Sequence, residues 1–466
     1  MSPDPLVGLP GDDRLLAGWG GTAPSRARVV TPLDDNDVGR LLDIAPPRGV
    51  IARGLGRSYG DVALNAGGMV LDATALSGVR SIDLEHGIVT VGAGTSLDSL
   101  MRWLLPRGWF VPVTPGTRYV TVGGAIASDI HGKGHHVDGT FGSHVHSLTL
   151  LTGSGDVLTV TPAETPEIFW ATTGGMGLTG VILDATFDLI PVETSLISVD
   201  EERCADLDHL MASMSERDDR YRYSVAWIDC TARGRSMGRG ILGRGDHATL
   251  DEIPKAKRTF SRRFVPNPLA VAPPMMPSGL INLQTTRAFN EIWFRKARKR
   301  HIGVQSISAF FHPLDLVDGW NRMYGSRGCI QYQYVVPFGA ESTVRYSLEL
   351  LSGTGMPSFL AVLKRFGAQN PGMLSFPSPG WTLAVDIPVG KPELPRLLDR
   401  LDEAVLAAGG RVYLAKDART RPEHLGIMYP RLPQFREIRA KLDPDRVITS
   451  DMARRLGLDD PNPEAS

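Results

Sequence analysis

Hydrophobic positions along this chain change period several times, and each change marks an element. Ile88-Val-Thr-Val91 is a short β-rich run. After Gly92-Ala-Gly94 the spacing turns helical: Leu97, Leu100, Met101, Leu104 and Leu105 share one face behind Ser96, a natural N-cap, and Pro106 and Gly108 end the run. Residues 146–152 and 156–160 read as the arms of a hairpin around Gly153-Ser154-Gly155. Val181, Leu183, Ala185, Phe187 and Leu189 alternate with less apolar residues, which predicts a half-buried strand over 181–190. From Val29 to about Pro191 the pattern is one of short strands, tight turns and few helices. Beyond it glycine thins and strands alternate with longer helices, the texture of a separate α+β domain.

Residues 255–300 break the pattern. Basic clusters at Lys255, Lys257, Arg258, Arg262 and Arg263, and at Arg295, Lys296, Arg298, Lys299 and Arg300, bracket the apolar, proline-rich VPNPLAVAPPMMPSGLIN. That centre has no period and predicts a mobile excursion from the domain surface. From about Ala415 charged helices lead to Asp451-Met-Ala-Arg-Arg455 and to the tail PNPEAS, which is expected to fray.

Composition narrows the function classes. With 466 residues, 42% hydrophobic and 22% charged, the chain has room for two or three domains with ample cores. A net charge of -1 argues against bulk nucleic-acid binding. Cys204, Cys230 and Cys329 are odd in number and far apart, which suits reduced thiols better than a disulfide framework or a zinc site. No basic start followed by an apolar run suggests a signal peptide, and no stretch is apolar enough to span a bilayer, so any membrane contact is expected to be peripheral.

Glycine changes the picture most. It clusters between Gly54 and Gly180, in loops 53–60, 115–142 and 174–180. A dinucleotide pyrophosphate needs several backbone N–H groups pointing inward, and glycines permit that concavity; a plain β-rich core is the other use of such turns. Two Rossmann look-alikes fail on context. Gly175-Met-Gly177-Leu-Thr-Gly180 precedes a predicted strand where a helix is required, and Gly92-Ala-Gly94 lacks the third glycine. His131, His135, His136, His144 and His146 form a cluster, but the glycines among them disfavour a rigid metal-binding face. Core or exposed histidines, or a catalytic His131, are the remaining readings.

RGLGRSYGD, PGTRYVTVGGAIASDIHGKGHH, GTFGSHV and TTGGMGLTGVI resemble the FAD domain of the vanillyl-alcohol oxidase superfamily. FFHPLD, CIQYQYVVP, PGWTLAVDIP, RVYLAKDARTRPE and ITSDMARRL extend the likeness over nearly the whole chain, which resembles the flavoprotein oxidase subunits of the decaprenylphosphoryl-β-D-ribose 2′-epimerase family. The resemblance implies an α+β, two-domain vanillyl-alcohol oxidase-like fold. A PCMH-type FAD-binding domain spans 7–195. A substrate domain on an antiparallel sheet spans 196–413, with its excursion near 255–300, and a segment over 414–461 returns to the FAD domain. The implied reaction is FAD-dependent oxidation of the 2′-hydroxyl of a ribose linked through phosphate to a polyprenyl chain. A separate NADH-dependent short-chain reductase would reduce the 2′-keto sugar to the arabinose donor for cell-wall arabinan. An FAD-dependent oxidase of a soluble sugar, alditol or aldonolactone is the alternative. The expected location is cytoplasmic or peripheral at the inner membrane, with the periplasm or cell envelope as the alternative.

The resemblance also distributes roles. Lys416, in Tyr413-Leu-Ala-Lys-Asp417, matches the family's active-site lysine, although by itself it reads as an exposed lysine paired with Asp417. His131 is expected to accept the hydroxyl proton or polarise the ribose. FAD contacts are expected from Arg53, Gly54, Leu55, Gly56, Arg57, Ser58 and Tyr59. Further contacts are expected from Gly116, Thr117, Thr121, Val122, Gly123, Gly124, Ala127, Ser128, Ile130, His131, Gly132 and Lys133, and from Gly177, Gly180, Val181, Ile182, Tyr413 and Lys416. The substrate pocket is expected to use Tyr59, Lys133, Trp227, Gln331, Gln333, Lys364, Phe366 and Ala384. Without the resemblance Tyr59 and Trp227 are ordinary core aromatics and Lys133 a solvated charge. Covalent members of the superfamily often carry histidine where this chain has Arg57, so FAD is expected to be non-covalent. Many family members have cysteine at Ala384, the attachment point of nitroaromatic inhibitors; alanine offers no nucleophile. With its apolar centre and basic flanks, 255–300 would meet anionic headgroups and admit a lipid tail, or be a solvated surface loop.

Overall fold

The computed structural model describes residues 8–459, apart from Met275, Ser278, Pro357 and the side chain of Lys257. The tail PNPEAS and the outermost residues of the 7–195 and 414–461 spans lie outside the described residues.

The first half of the chain builds two small sheets. In one, Val50–Arg53 and Ser25–Val30 flank Met69–Asp72 in parallel, and Asp12–Leu16 closes the edge antiparallel to Ser25–Val30. The crossover required by the parallel pairing is the helix Asp35–Asp43, capped by the Asp34 side chain accepting from the Asp37 N–H. The other sheet is antiparallel, in the order Val79–Asp83, Ile88–Gly92, Val181–Asp188, Val145–Leu151, Val157–Val160. The expected helix is Leu97–Leu104 with Ser96 as its cap, and the expected hairpin turns at Thr152–Gly155. Val181–Asp188 is more buried than its alternation suggests, because it is the central strand and the helix Val122–Ala127 packs on it.

The second half builds one antiparallel sheet of eight strands. Their order is Arg300–Ser306, Leu196–Cys204, Gly240–His247, Tyr223–Ile228, Ala361–Phe366, Gly380–Pro388, Cys329–Val336, Arg411–Val412. Helices Leu207–Arg217, Glu341–Thr354 and Leu394–Ala407 pack against it. Register aligns one row of side chains across four strands: Trp227 opposite Val362, Val362 opposite Ala384, Ala384 opposite Gln333. Since side chains alternate faces along a strand, that row presents a single surface to the glycine loops.

Within 255–300 lies a 14-residue helix, Leu283–Lys296, which the hydrophobic pattern did not reveal. Its start is local: Asn282 and Thr285 form a capping box. Its only fully buried residues are Thr286 and Asn290, while Phe289, Ile292 and Trp293 stay partly exposed, so no amphipathic period marks it. Ala270–Val271 pairs in parallel with Val317–Asp318.

The chain then returns to its beginning. Ile448 bridges Val50, the Ala66 N–H donates to Asp451 at 2.9 Å, and Arg455 donates to both oxygens of Asp61 at 2.8 Å. Among the described residues no helix is long and apolar enough to cross a membrane.

Candidate active site

The glycine loops meet where the first strand of the cradle ends. After Arg53 the chain turns through Gly54, where a Cβ would stand 2.2 Å from Thr121 Oγ1, and leaves through Gly60, where it would stand 1.8 Å from the Asp417 carbonyl oxygen. Glycine is required at both because the loop is pressed against the second loop on one side and the C-terminal segment on the other. Between them the backbone N–H groups of Leu55, Gly56, Arg57 and Ser58 donate to no other described residue. A consecutive run of free amides on a cavity wall suits a pyrophosphate. Thr121 caps the short helix Val122–Ala127, and a Cβ at Gly116 would meet open space.

These loops and the sheet enclose a cavity of about 1070 Å³. It exceeds the ~300–1,000 Å³ usual for one small ligand. Nearly every expected contact residue lines it: 53–59, Gly116, Thr117, Thr121, Gly123, Gly124, Ala127, Ser128, 130–133, Gly177, Gly180, Ile182, Tyr413 and Lys416 on the loop side, and Trp227, Gln331, Gln333, Lys364 and Ala384 on the sheet side. Three do not. Val122 points into the core from the first turn of its helix. Val181 faces away from the cavity between Gly180 and Ile182, as strand alternation requires. Phe366 stands behind the wall, its ring 4.8 Å from that of His131.

Three amines converge on the cavity, Lys133 and Lys416 from the loop side and Lys364 from the sheet. Burial lowers Lys133 to about 7, and burial together with repulsion by Lys133 and Lys416 lowers Lys364 to about 7. Burial also lowers Lys416, against the pull of the Asp386 carboxylate. Lys133 donates to the Phe310 carbonyl. Among the described residues neither Lys364 nor Lys416 has a carboxylate at ion-pair distance, and the alternative of a Lys416–Asp417 pair does not form, since Asp417 binds Arg455 instead. The Lys416 ammonium lies 4.2 Å from the centre of the Tyr59 ring.

His131 is buried, and burial beside these lysines holds its imidazole neutral, well below the ordinary histidine range. Gln333 Nε2 lies 3.0 Å from its Nε2, and its buried Nδ1 has no hydrogen-bond partner among the described residues. The other histidines of the cluster go elsewhere: His135 Nδ1 accepts from the Gly367 N–H, His136 meets the Tyr221 carbonyl, His144 the Asp138 carbonyl, and His146 pairs with Asp188.

Several lining residues escaped the sequence reading. Trp19 stacks on Arg57, whose guanidinium carbon is 3.9 Å from its ring centre. Phe289, Trp293, Trp320, Phe359 and Leu360 form an apolar arm of the cavity. Asp386 lies behind Tyr59. Strand alternation from Ala384 was the available signal for Asp386; the aromatics come from distant segments, and nothing local marks them.

The arrangement defines a class. Residues 26–161 match the FAD binding domain family and residues 389–456 the D-arabinono-1,4-lactone oxidase family. The fold and cradle are those of a vanillyl-alcohol oxidase-type flavoprotein, and the protein is an FAD-dependent oxidoreductase. Over 455 residues, 97% of this chain and 99% of the relative, it is 46% identical to decaprenylphosphoryl-β-D-ribose oxidase of Mycolicibacterium smegmatis. The chain belongs to the decaprenylphosphoryl-β-D-ribose oxidase family, as the motifs led one to expect. It is also 24% identical over 456 residues, 95% of this chain and 99% of the relative, to L-gulono-1,4-lactone dehydrogenase of Mycobacterium tuberculosis.

Proposed function

We propose that the protein oxidises the 2′-hydroxyl of a ribose joined through phosphate to a polyprenyl chain, yielding the 2′-keto sugar. The observation that carries this reading is the two-sided cavity: converging amines at its depth and an apolar arm leading outward. Lys133 and Lys364 hold the phosphate, since among the described residues neither amine has a carboxylate at ion-pair distance and a bound anion would supply that counter-charge. The arm past Phe359, Phe289 and Trp293 takes the isoprenoid chain. Bound FAD supplies the hydride acceptor. The free amides of 55–58 bind its pyrophosphate, and Arg57, wedged on Trp19, offers no covalent attachment. Lys416 provides positive charge where the transferred electron pair arrives. His131, neutral and lining the cavity beside Gln333, orients the ribose. The assignment divides the chain into cofactor-holding parts, 7–195 and 414–461, and a substrate-holding part, 196–413.

Reduction of the ketone is assigned to a separate NADH-dependent reductase, because Gly175-Met-Gly177-Leu-Thr-Gly180 runs into a strand rather than a helix. Peripheral membrane contact is supported by the exposed Phe260 beside Arg258, Arg262 and Arg263, and by the exposed Leu269 and Ile292 elsewhere in 255–300.

The test is anaerobic single-turnover reduction of the bound flavin by polyprenyl-phosphoryl ribose, by free sugars and by aldonolactones. The lipid-linked ribose is expected to bleach the flavin, and Lys416→Ala to slow this by about 10²-fold or more. Faster reduction by an aldonolactone, the substrate class suggested by the C-terminal family match, would refute the reading.

A further inference from the structure

We infer that Asp386 is a positioning residue of the oxidation: its carboxylate is the counter-charge that keeps Lys416 an ammonium and orients the Tyr59 phenol between them. This rests on the role proposed for Lys416.

Asp386 is fully buried on Gly380–Pro388, two residues beyond Ala384, and its register partner is Gln331. The Gln331 amide donates both to Asp386 and to the Tyr59 hydroxyl, the latter at 3.1 Å. The Tyr324 hydroxyl donates to the second carboxylate oxygen at 3.4 Å. The Tyr59 ring therefore carries the Lys416 ammonium on its face and the amide–carboxylate pair at its hydroxyl.

Three other buried aspartates are held differently. Asp229 is paired with Arg239 at 2.7 Å, Asp443 accepts from the backbone N–H groups of Val447 and Ile448, and Asp129 accepts from the Gly142 N–H. Each of those carboxylates has a guanidinium or at least one backbone donor, Asp129 with further bonds from Ser375 and Asn370. Asp386 has neither among the described residues; its donors are neutral side chains, and the cation whose charge acts on it is Lys416. A buried carboxylate stays ionised only with a compensating charge.

The environment leaves no substitute. Tyr59, Tyr324 and Cys329 are all pushed upward by burial and stay protonated. On the other side of Lys416 stand Lys364, which repels it, and the neutral His131; Arg57 lies beyond Tyr59. Burial pushes the Asp386 carboxyl up and the Lys416 amine down, and the charge of each opposes the other's shift. Without Asp386, Lys416 faces only like or neutral charge and releases its proton at lower pH.

The test uses the FAD-loaded protein and two readouts: the midpoint potential of the bound flavin, titrated with dithionite and redox dyes across pH, and the pH profile of single-turnover reduction. Lys416→Met should abolish the alkaline limb in both. Asp386→Asn should move that limb to lower pH by at least about one unit, while Asp386→Glu restores it. In the Lys416→Met background, Asp386→Asn should change neither readout further. An unmoved limb, or an equal loss with and without Lys416, overturns the inference. If Asp386→Asn does not hold FAD, Tyr324→Phe decides. It strips one donor from the same carboxylate and must shift the limb the same way; no shift is refutation. Because the potential is measured without sugar, this outcome is independent of whether the proposed substrate is correct.

Discussion

Lys364 illustrates what a single residue type conceals. In the sequence it is one of many basic residues; in the fold it lies among Lys133, Lys416 and His131 with no carboxylate partner. Burial depresses its amine to about 7, and a bound phosphate would raise it again. Affinity for the phosphoryl substrate should therefore be strongest below about pH 7 and weaken as pH rises and the free amine loses its proton. Lys364→Met is expected to raise KM by about 10- to 100-fold with a smaller effect on kcat, and to flatten that dependence; steady-state kinetics from pH 6 to 9 check both. The roles proposed for Lys364 and Lys416 come from family motifs alone; their burial, which the structure shows, is a property of the fold and not of the residue. Asp386 was within reach of strand alternation and was passed over. Its neighbour Tyr324 comes from a segment with no local signal, whereas Cys329 opens the motif CIQYQYVVP.

At the scale of elements, the glycine loops were readable because close approach leaves a mark in composition. The rejected dinucleotide motifs were readable because a strand follows one of them. Val122 and Val181 show the limit: adjacency in a motif does not carry a side chain to the same wall. The helix Leu283–Lys296 shows another, since a helix that buries little of its apolar face writes no period into the sequence. The contact between Gly60 and the Asp417 carbonyl gives a sharp test. Gly60→Ala forces two backbone segments apart and should cost about 2–3 kcal/mol, with FAD bound at least tenfold more weakly. Urea unfolding and flavin fluorescence titration measure the two effects; an unchanged FAD affinity would mean that the first loop closes without the C-terminal segment.

Over the whole molecule, the cofactor cradle and the eight-stranded sheet form two walls, and the last helices tie the second half back to the first. The expected return of the C-terminal segment rested on family likeness; the sequence shows charged helices there but not what they touch. Arg455 is the main tie, bonded to Asp61, Asp417 and the Thr420 carbonyl. Arg455→Ala would strand the buried Asp417 carboxylate, and a loss of about 2–4 kcal/mol with a parallel loss of FAD retention is expected in thermal melts followed by flavin release. The same tie bears on how the protein is made. Asp61 and Arg455 are 394 residues apart. At about 5–20 residues per second, a ribosome takes roughly 20–80 s to travel from one to the other. For all that time the first loop exists without its closing partner. Retention of FAD is therefore expected only after Arg455 has been made, and a chain truncated before it should fail to hold flavin.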